Sequence, residues 1–145
     1  MTAVLEEQRK IRIEESFGRQ KLMRTIGARL VRIAGGEVDV EMPFSGELTQ
    51  QSGALHAGIV TALLDTACGY AAYTSMPDDC DVVSVEFKVN LLAPAIGDRL
   101  VARAITRRSG RTLSVCSADL FAVRGGEETL VATMLGTMMA VKRRE

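Results

Sequence analysis

The chain has 145 residues, of which 47% are hydrophobic and 25% charged, a composition typical of a folded globular domain rather than a disordered segment. Its 18 Lys and Arg residues balance its 18 Asp and Glu residues, so the net charge does not indicate nucleic acid or an anionic membrane as a partner. Three cysteines without a CxxC pair and a single histidine cannot form a Cys/His zinc set, so we expect no metal.

The location and domain organisation follow from the apolar pattern. The first residues are charged where a signal peptide would need an apolar stretch, and the longest apolar run, residues 57–73, contains Asp65 and is shorter than the roughly 20 residues of a membrane span. We therefore expect a cytoplasmic protein. No linker or repeat divides the chain, so residues 1–145 should form one domain, with a helical segment at 1–27 and a core at 28–141.

The first half of the chain contains one hairpin between helices. Residues 3–26 place apolar side chains among charges, which predicts one or two amphipathic helices with Gly18 at the break. Two alternating runs, 28–34 and 37–42, flank Gly35-Gly36 and predict a hairpin. Residues 57–74 are small and apolar on all sides, which predicts a helix that is buried on every face and ends before Pro77.

Four strand-like runs follow that helix. Residues 83–91 alternate, with the apolar side chains at odd positions, which predicts a long half-exposed strand. Further runs cover 99–107, 112–123 and 130–141, and the last is apolar on both faces, as expected of a strand inside the sheet. The sequence thus predicts an α+β architecture in which a long, curved antiparallel sheet wraps one buried helix.

The entrance to the buried helix is a candidate site. His56, Ala57 and Gly58 lie where the loop meets the helix, whose first N–H groups have no intrahelical acceptor and carry partial positive charge. Gly58 allows a ligand to approach the backbone closely. Such a corner suits a carbonyl oxygen that becomes an oxyanion. An ordinary loop-to-helix junction with a satisfied histidine is the alternative.

Asp65 is the only charged residue of the apolar helix. An unpaired buried carboxylate is costly, which favours a general base or nucleophile, although Thr61, Thr66 or a partner chain could also satisfy it. Gly58 and Asp65 are seven residues apart, about 10 Å along a helix. One substrate cannot contact both within a chain, so a shared site would lie across a two-fold interface.

Two further features bear on chemistry. Arg107, Arg108 and Arg111 surround a predicted turn at Ser109-Gly110, where guanidinium groups could bind phosphate, although a solvated turn is the alternative. Cys68 lies three residues after Asp65 in an apolar setting, which disfavours the thiolate and hence a nucleophilic role.

Taken together, these residues resemble a known family. His56-Ala57-Gly58, then Asp65, then residues 83–87 and 92–98 resemble the hotdog-fold thioesterases of the phenylacetate-degradation (PaaI-like) type, over roughly residues 28–141. The resemblance implies five to six strands around one helix and hydrolysis of acyl-CoA. It implies that Gly58 donates its N–H to the thioester oxygen and that Asp65 of the opposing subunit activates water or attacks the carbon. Ser84 would position the water, and His56 would shape the loop and orient the thioester.

The same resemblance extends to the substrate. Gly110 and Arg111, together with Arg108, match a turn near the CoA phosphates in several relatives. Gln50 stands where many relatives carry Asn, and Ala57 replaces a common Gly. The Gln-Gln-x-Gly-x-x-His-Ala-Gly form resembles a branch acting on medium- and long-chain acyl-CoA, and an aromatic acyl group also fits the type.

The expected partners are an acyl-CoA substrate and further copies of the chain, as a homodimer that pairs into a homotetramer. No cofactor is expected besides CoA as part of the substrate. Two alternatives stay open, namely a hotdog hydratase acting on enoyl or hydroxyacyl thioesters, and a non-catalytic acyl-CoA-binding protein.

Overall fold

The computed structural model describes residues 5–145, so the expected start of the first helix at residue 3 lies outside the described residues. The helices of this part are α1 Glu7–Gly18, α2 Lys21–Thr25 and α3 Ala57–Tyr73, with a 3-10 turn at Gly46–Leu48. The strands are β1 Arg29–Ala34, β2 Glu37–Pro43, β3 Cys80–Leu91, β4 Arg99–Ser109, β5 Leu113–Arg124 and β6 Glu127–Lys142.

The six described strands form one antiparallel sheet in the order β1-β2-β4-β5-β6-β3. α3 contacts every strand from β2 to β6, which requires the sheet to curve around the helix. This α+β arrangement is the predicted hotdog fold. The hairpin predicted around Gly35-Gly36 is confirmed, and Gly36 has a φ of 74°, which glycine adopts without strain.

The core lies between α3 and the inner face of the sheet. Leu63, Leu64, Ala67, Cys68 and Ala71 of the helix are all fully inaccessible. They belong to the same buried cluster as inward-facing residues of the strands, among them Val38, Val40, Met42, Leu100, Leu120, Met134 and Met138. The small side chains of α3 let the strands approach closely, and each buried Leu contributes about 2 kcal/mol through removal from water.

The expectation that α3 is buried on every face is wrong for its first half. There a continuous strip of residues is exposed or only partly buried: Ala57, Gly58, Ile59, Thr61, Ala62 and Asp65. The sheet of one chain covers only one side of this half. The uncovered strip is apolar except for Thr61 and Asp65.

The face assignment within β3 is also corrected. The register between β3 and β6 shifts between Ser84 and Glu86, so Val85 forms a β-bulge. Ser84 pairs with the buried Met138 and Phe87 pairs with the buried Gly136, which places both side chains on the helix side of the sheet. Val83 therefore lies on the opposite face from Phe87. β6, which was expected to lie centrally, is an inner strand that pairs with β5 and with the edge strand β3.

Polar side chains of α1 bind the C-terminal end of α3. Arg9 Nη1 donates to Thr74 O at 3.0 Å, and Arg12 donates to Tyr73 O at 3.2 Å and Pro77 O at 3.0 Å. The Arg12 guanidinium also lies 4.3 Å from the centre of the Tyr73 ring. Carbonyls at a helix C-terminus lack intrahelical donors and carry partial negative charge, so these arginines stabilise the end of α3.

We expect Arg12→Met to lower the free energy of unfolding by about 2 kcal/mol, because it keeps the apolar stem but removes charged hydrogen bonds to the carbonyls at the end of α3. Chemical denaturation measures the change. Lys10→Met is the matched control, since Lys10 is exposed on the same helix. Equal stability of the two variants would contradict the capping role of Arg12.

Candidate active site

Asp65 and Ser84 form a hydrogen-bonded pair on the helix side of the sheet. Ser84 Oγ donates to Asp65 Oδ1 at 2.6 Å and lies 3.4 Å from Met138 Sδ. The bulge at Val85 makes this contact possible because it places Ser84 on the helix side. Asp65 is partly exposed and not buried as expected, and its partner is Ser84 rather than Thr61 or Thr66. The structure therefore brings together two of the residues that the resemblance singled out, and Asp65 Oδ2 has no hydrogen-bond partner within residues 5–145.

A polar cavity of about 120 Å³ lies beside this pair. Besides Asp65 and Ser84 it is lined by Gln20, Thr66, Gly69, Tyr70 and Val82. Gln20 Nε2 donates to Tyr70 Oη at 3.0 Å, and Ser16 Oγ lies 3.1 Å from the same oxygen. Burial raises the pKa of Tyr70, so the phenol is neutral at physiological pH.

Gln20 was missed in the sequence. The signal that could have found it is the spacing of Arg9, Arg12, Ser16 and Gln20, which places one polar stripe on the N-terminal segment. All four side chains contact α3 or the residues just after it. An amphipathic pattern normally places polar side chains toward solvent, whereas these four face the core helix.

His56 is the N-cap of α3. Its Nδ1 accepts a hydrogen bond from the Gly58 N–H at 2.8 Å, so the ring hydrogen belongs on Nε2. A Cβ added at Gly58 would lie 3.0 Å from that Nδ1. A side chain at this position would crowd the His56 ring, which accounts for the glycine. The Ala57 N–H has no hydrogen-bond partner within residues 5–145. The donor expected at Gly58 is thus engaged within the chain, while the neighbouring N–H is open.

Gln50 is held by its own loop. Its side chain accepts from Ser52 N and donates to Ser52 Oγ at 2.6 Å, and its backbone N–H donates to Ala54 O. It lines a cavity of about 240 Å³ at the N-terminus of α3. The other lining residues are mostly small or apolar: Ser52, Ala54, Leu55, Ala57, Val60, Leu91, Ala93, Pro94, Ala95 and Val131.

The entrance of α3 and the Asp65–Ser84 pair are separate sites within one chain. Asp65 lies seven positions after Gly58 in the helix, a distance of about 10 Å along its axis. The cavity at the entrance includes neither Asp65 nor Ser84, and the cavity beside Asp65 includes neither His56 nor Gly58. A single chain therefore does not bring the predicted donor and the predicted carboxylate to one substrate atom.

The predicted CoA-binding residues divide into two groups. Arg108 lines a cleft of about 520 Å³ together with Arg9 and Arg107, whereas Gly110 and Arg111 lie outside its lining. The Gly110 N–H donates to Leu113 O at 2.8 Å, and a Cβ there would lie 2.6 Å from that oxygen, so the tight turn itself accounts for the glycine. Of the predicted set, Arg108 is the member that the structure places in a basic cleft.

Other chemistry finds little support in the described residues. Cys68 is fully buried, and this burial, with smaller contributions from Cys116 and Asp65, raises the pKa of its thiol far above the ordinary value. Within residues 5–145 no three His, Cys, Asp or Glu side chains group as metal ligands would. None of the helices in that range has the length and apolarity needed to cross a membrane.

A curved antiparallel sheet around one central helix defines the hotdog fold. The sequence model of the thioesterase superfamily matches residues 52–129, and the chain belongs to this family. A thioesterase family protein from Silicibacter pomeroyi is 47% identical, with a TM-score of 0.91 over 93% of this chain and 99% of its own. Human acyl-coenzyme A thioesterase 13 is 30% identical over 83% of this chain and 86% of its own.

The E. coli PaaI protein shares the fold, with a TM-score of 0.84 and 20% identity over 94% of this chain and 96% of its own. The predicted family and the predicted enzyme class, a thioester hydrolase, are therefore confirmed.

We expect His56→Ala to lower the free energy of unfolding by about 1 kcal/mol, because α3 loses its N-cap acceptor, while His56→Asn retains most of the stability. Urea denaturation of both variants measures the difference. Similar losses in the two variants would show that the ring stabilises by packing and not by capping.

Proposed function

We propose that the protein hydrolyses acyl-CoA thioesters to the free acid and CoA, at sites that two chains form together. The observation that carries this proposal is the Asp65–Ser84 pair, which lies on the uncovered side of α3 beside a polar cavity. The superfamily supports thioester hydrolysis, and the name of the human relative supports acyl-CoA as the thioester.

Asp65 would act through its free oxygen. Ser84 donates to Oδ1, which leaves Oδ2 to accept a proton from water or to attack the thioester carbon itself. In the first route the water oxygen bonds to the carbonyl carbon while its proton passes to Asp65. The C–S bond then breaks, and CoA leaves as a thiolate that takes up the proton. A thioester is already activated, so a carboxylate and an oxyanion donor suffice.

The oxyanion would be bound at the N-terminus of α3 of the second chain. Gly58 N–H becomes available when the thioester oxygen replaces His56 Nδ1 as its acceptor, and the open N–H of Ala57 lies next to it. His56 then retains its Nε2–H as a further donor for orienting the thioester. Gln50 holds the loop on which this corner depends.

The surface of the single chain supports a homodimer. β3 is an edge strand with large exposed apolar side chains, namely Val83, Val85, Phe87 and Leu91, and the uncovered strip of α3 lies beside it. Edge strands of this kind pair with a second copy. Pairing β3 with β3 of another chain also covers α3 and lets Asp65 of one chain face Gly58 of the other. Exposed leucines on the outer sheet face, Leu113 and Leu135, support further pairing into a homotetramer.

Two cavities suit the two halves of acyl-CoA. The mostly apolar cavity of about 240 Å³ exceeds the roughly 150 Å³ that holds benzene, so an aromatic ring or a medium-length chain fits it, and a long chain would extend beyond it. The cleft with Arg9, Arg107 and Arg108 offers guanidinium groups to the CoA phosphates. Arg111, at the neighbouring turn, would extend this basic surface.

We expect Asp65→Asn to reduce kcat/KM for acyl-CoA at least 100-fold, because the amide cannot accept the proton or attack the carbon. CoA release from short, long and aromatic acyl-CoAs measures the effect and the chain preference. Asp119→Asn is the matched control, since Asp119 also accepts a hydroxyl hydrogen bond, from Thr133, but on the outer face. Wild-type protein that binds acyl-CoA without hydrolysis would instead indicate a binding protein, and hydration of enoyl-CoA a hydratase.

We expect a 1:1 mixture of Asp65→Asn and Gly58→Val, refolded together, to regain about one quarter of wild-type activity. Half of randomly paired dimers are mixed, and each mixed dimer has one of its two sites intact. Each variant alone stays inactive. In the Gly58→Val homodimer the backbone donor is blocked in both sites, and in the Asp65→Asn homodimer the reacting carboxylate is absent from both sites. A mixture no more active than its components would place both residues in one chain's site.

A further inference from the structure

Gly69 occupies an unusual position in α3. It is buried, it lies four residues after Asp65 on the same helix face, and its backbone is ordinary helix. A glycine within a helix costs up to about 1 kcal/mol relative to alanine. A Cβ added at Gly69 would meet no atom within 4 Å, so neither packing nor backbone conformation requires glycine here. What the missing side chain provides is space beside Asp65.

That space is polar. Of the residues around it, Gln20, Asp65, Thr66, Tyr70 and Ser84 carry hydrogen-bonding side chains. The cavity has a volume of about 120 Å³, whereas one water occupies roughly 30 Å³, so the cavity has room for water. Gln20 Nε2 donates to Tyr70 Oη, and Gln20 Oε1 has no partner within residues 5–145, so it remains free to accept from water. An apolar acyl group in this space would strip these groups of solvent without replacing their hydrogen bonds.

We propose that this cavity holds the water consumed in hydrolysis, and that Gln20 and Tyr70 are positioning residues that hold it against Asp65. The inference rests on the proposed function. It applies whether Asp65 acts as general base or as nucleophile, because a water must reach the acyl carbon in either route. Ser84 fixes one oxygen of Asp65 from the side of β3, while Gln20 approaches from the N-terminal segment.

The placement of Gln20 gives α1 and its connection to α2 a part in the reaction. The superfamily match begins at residue 52 and does not reach this segment. Arg9 and Arg12 bind the C-terminal end of α3, and Ser16 and Gln20 continue the same line of contacts to Tyr70. The segment is therefore held along α3 at several points, which fixes Gln20 beside the cavity.

The test replaces Gly69 by alanine. The methyl group enters the cavity, so we expect kcat to fall at least tenfold, by a similar factor for every acyl-CoA and with little change in KM. The melting temperature should stay the same or rise, because alanine favours the helix. Gly46→Ala is the matched control, since Gly46 also has open space for a Cβ and no positive φ but lies outside this cavity, and it should leave kcat unchanged. Gln20→Met should lower kcat in the same way.

The outcomes separate this inference from the proposed function. Wild-type hydrolysis that Asp65→Asn abolishes establishes the proposed function first. If wild-type hydrolysis depends on Asp65 but kcat is unchanged in both Gly69→Ala and Gln20→Met, the water site alone is overturned. A rise in the KM of these variants for certain acyl groups only would also overturn it, because the cavity would then be an acyl subsite. Wild-type protein that releases no CoA overturns the proposed function and this assignment with it.

Discussion

Contact between α3 and the inner face of the sheet is the constraint on which the rest of the structure depends. The strands approach a helix only as closely as its side chains allow, and α3 offers mainly Ala, Gly, Leu and Thr. The same small residues continue along the side that the sheet does not cover. The helix is therefore suited to close packing on both sides, although one chain provides only one of them.

Much of the fold could be predicted because its elements follow simple periodicities. The hairpin around Gly35-Gly36, the mainly apolar α3 and the strands after it were all predicted from the sequence, and together they require a sheet that encloses a helix. The bulge at Val85 could not be predicted. A bulge adds one residue without changing the apolar pattern, so the alternation of residues 83–91 gave the wrong face for Ser84.

Only part of the candidate site could be predicted from the sequence. Asp65 stands out because a charge in an apolar helix is costly, whereas Gln20, just before α2, and Tyr70, within a buried helix, are ordinary residues at such positions. Their relation to Asp65 depends on how α1 packs against α3, which no local pattern encodes. The capping bond between His56 and Gly58 was missed for a related reason, since histidine is an uncommon N-cap.

Both halves of the candidate site contain polar groups that need hydrogen-bond partners beside a mainly apolar helix. At the entrance, His56 satisfies a helix N–H that a substrate oxygen could take over, so this donor is not left unpaired in the resting state. Beside Asp65, the missing side chain of Gly69 leaves open space in the polar cavity next to the carboxylate. In both places a glycine that weakens the helix leaves room for polar groups, namely the His56 ring at Gly58 and the polar cavity at Gly69.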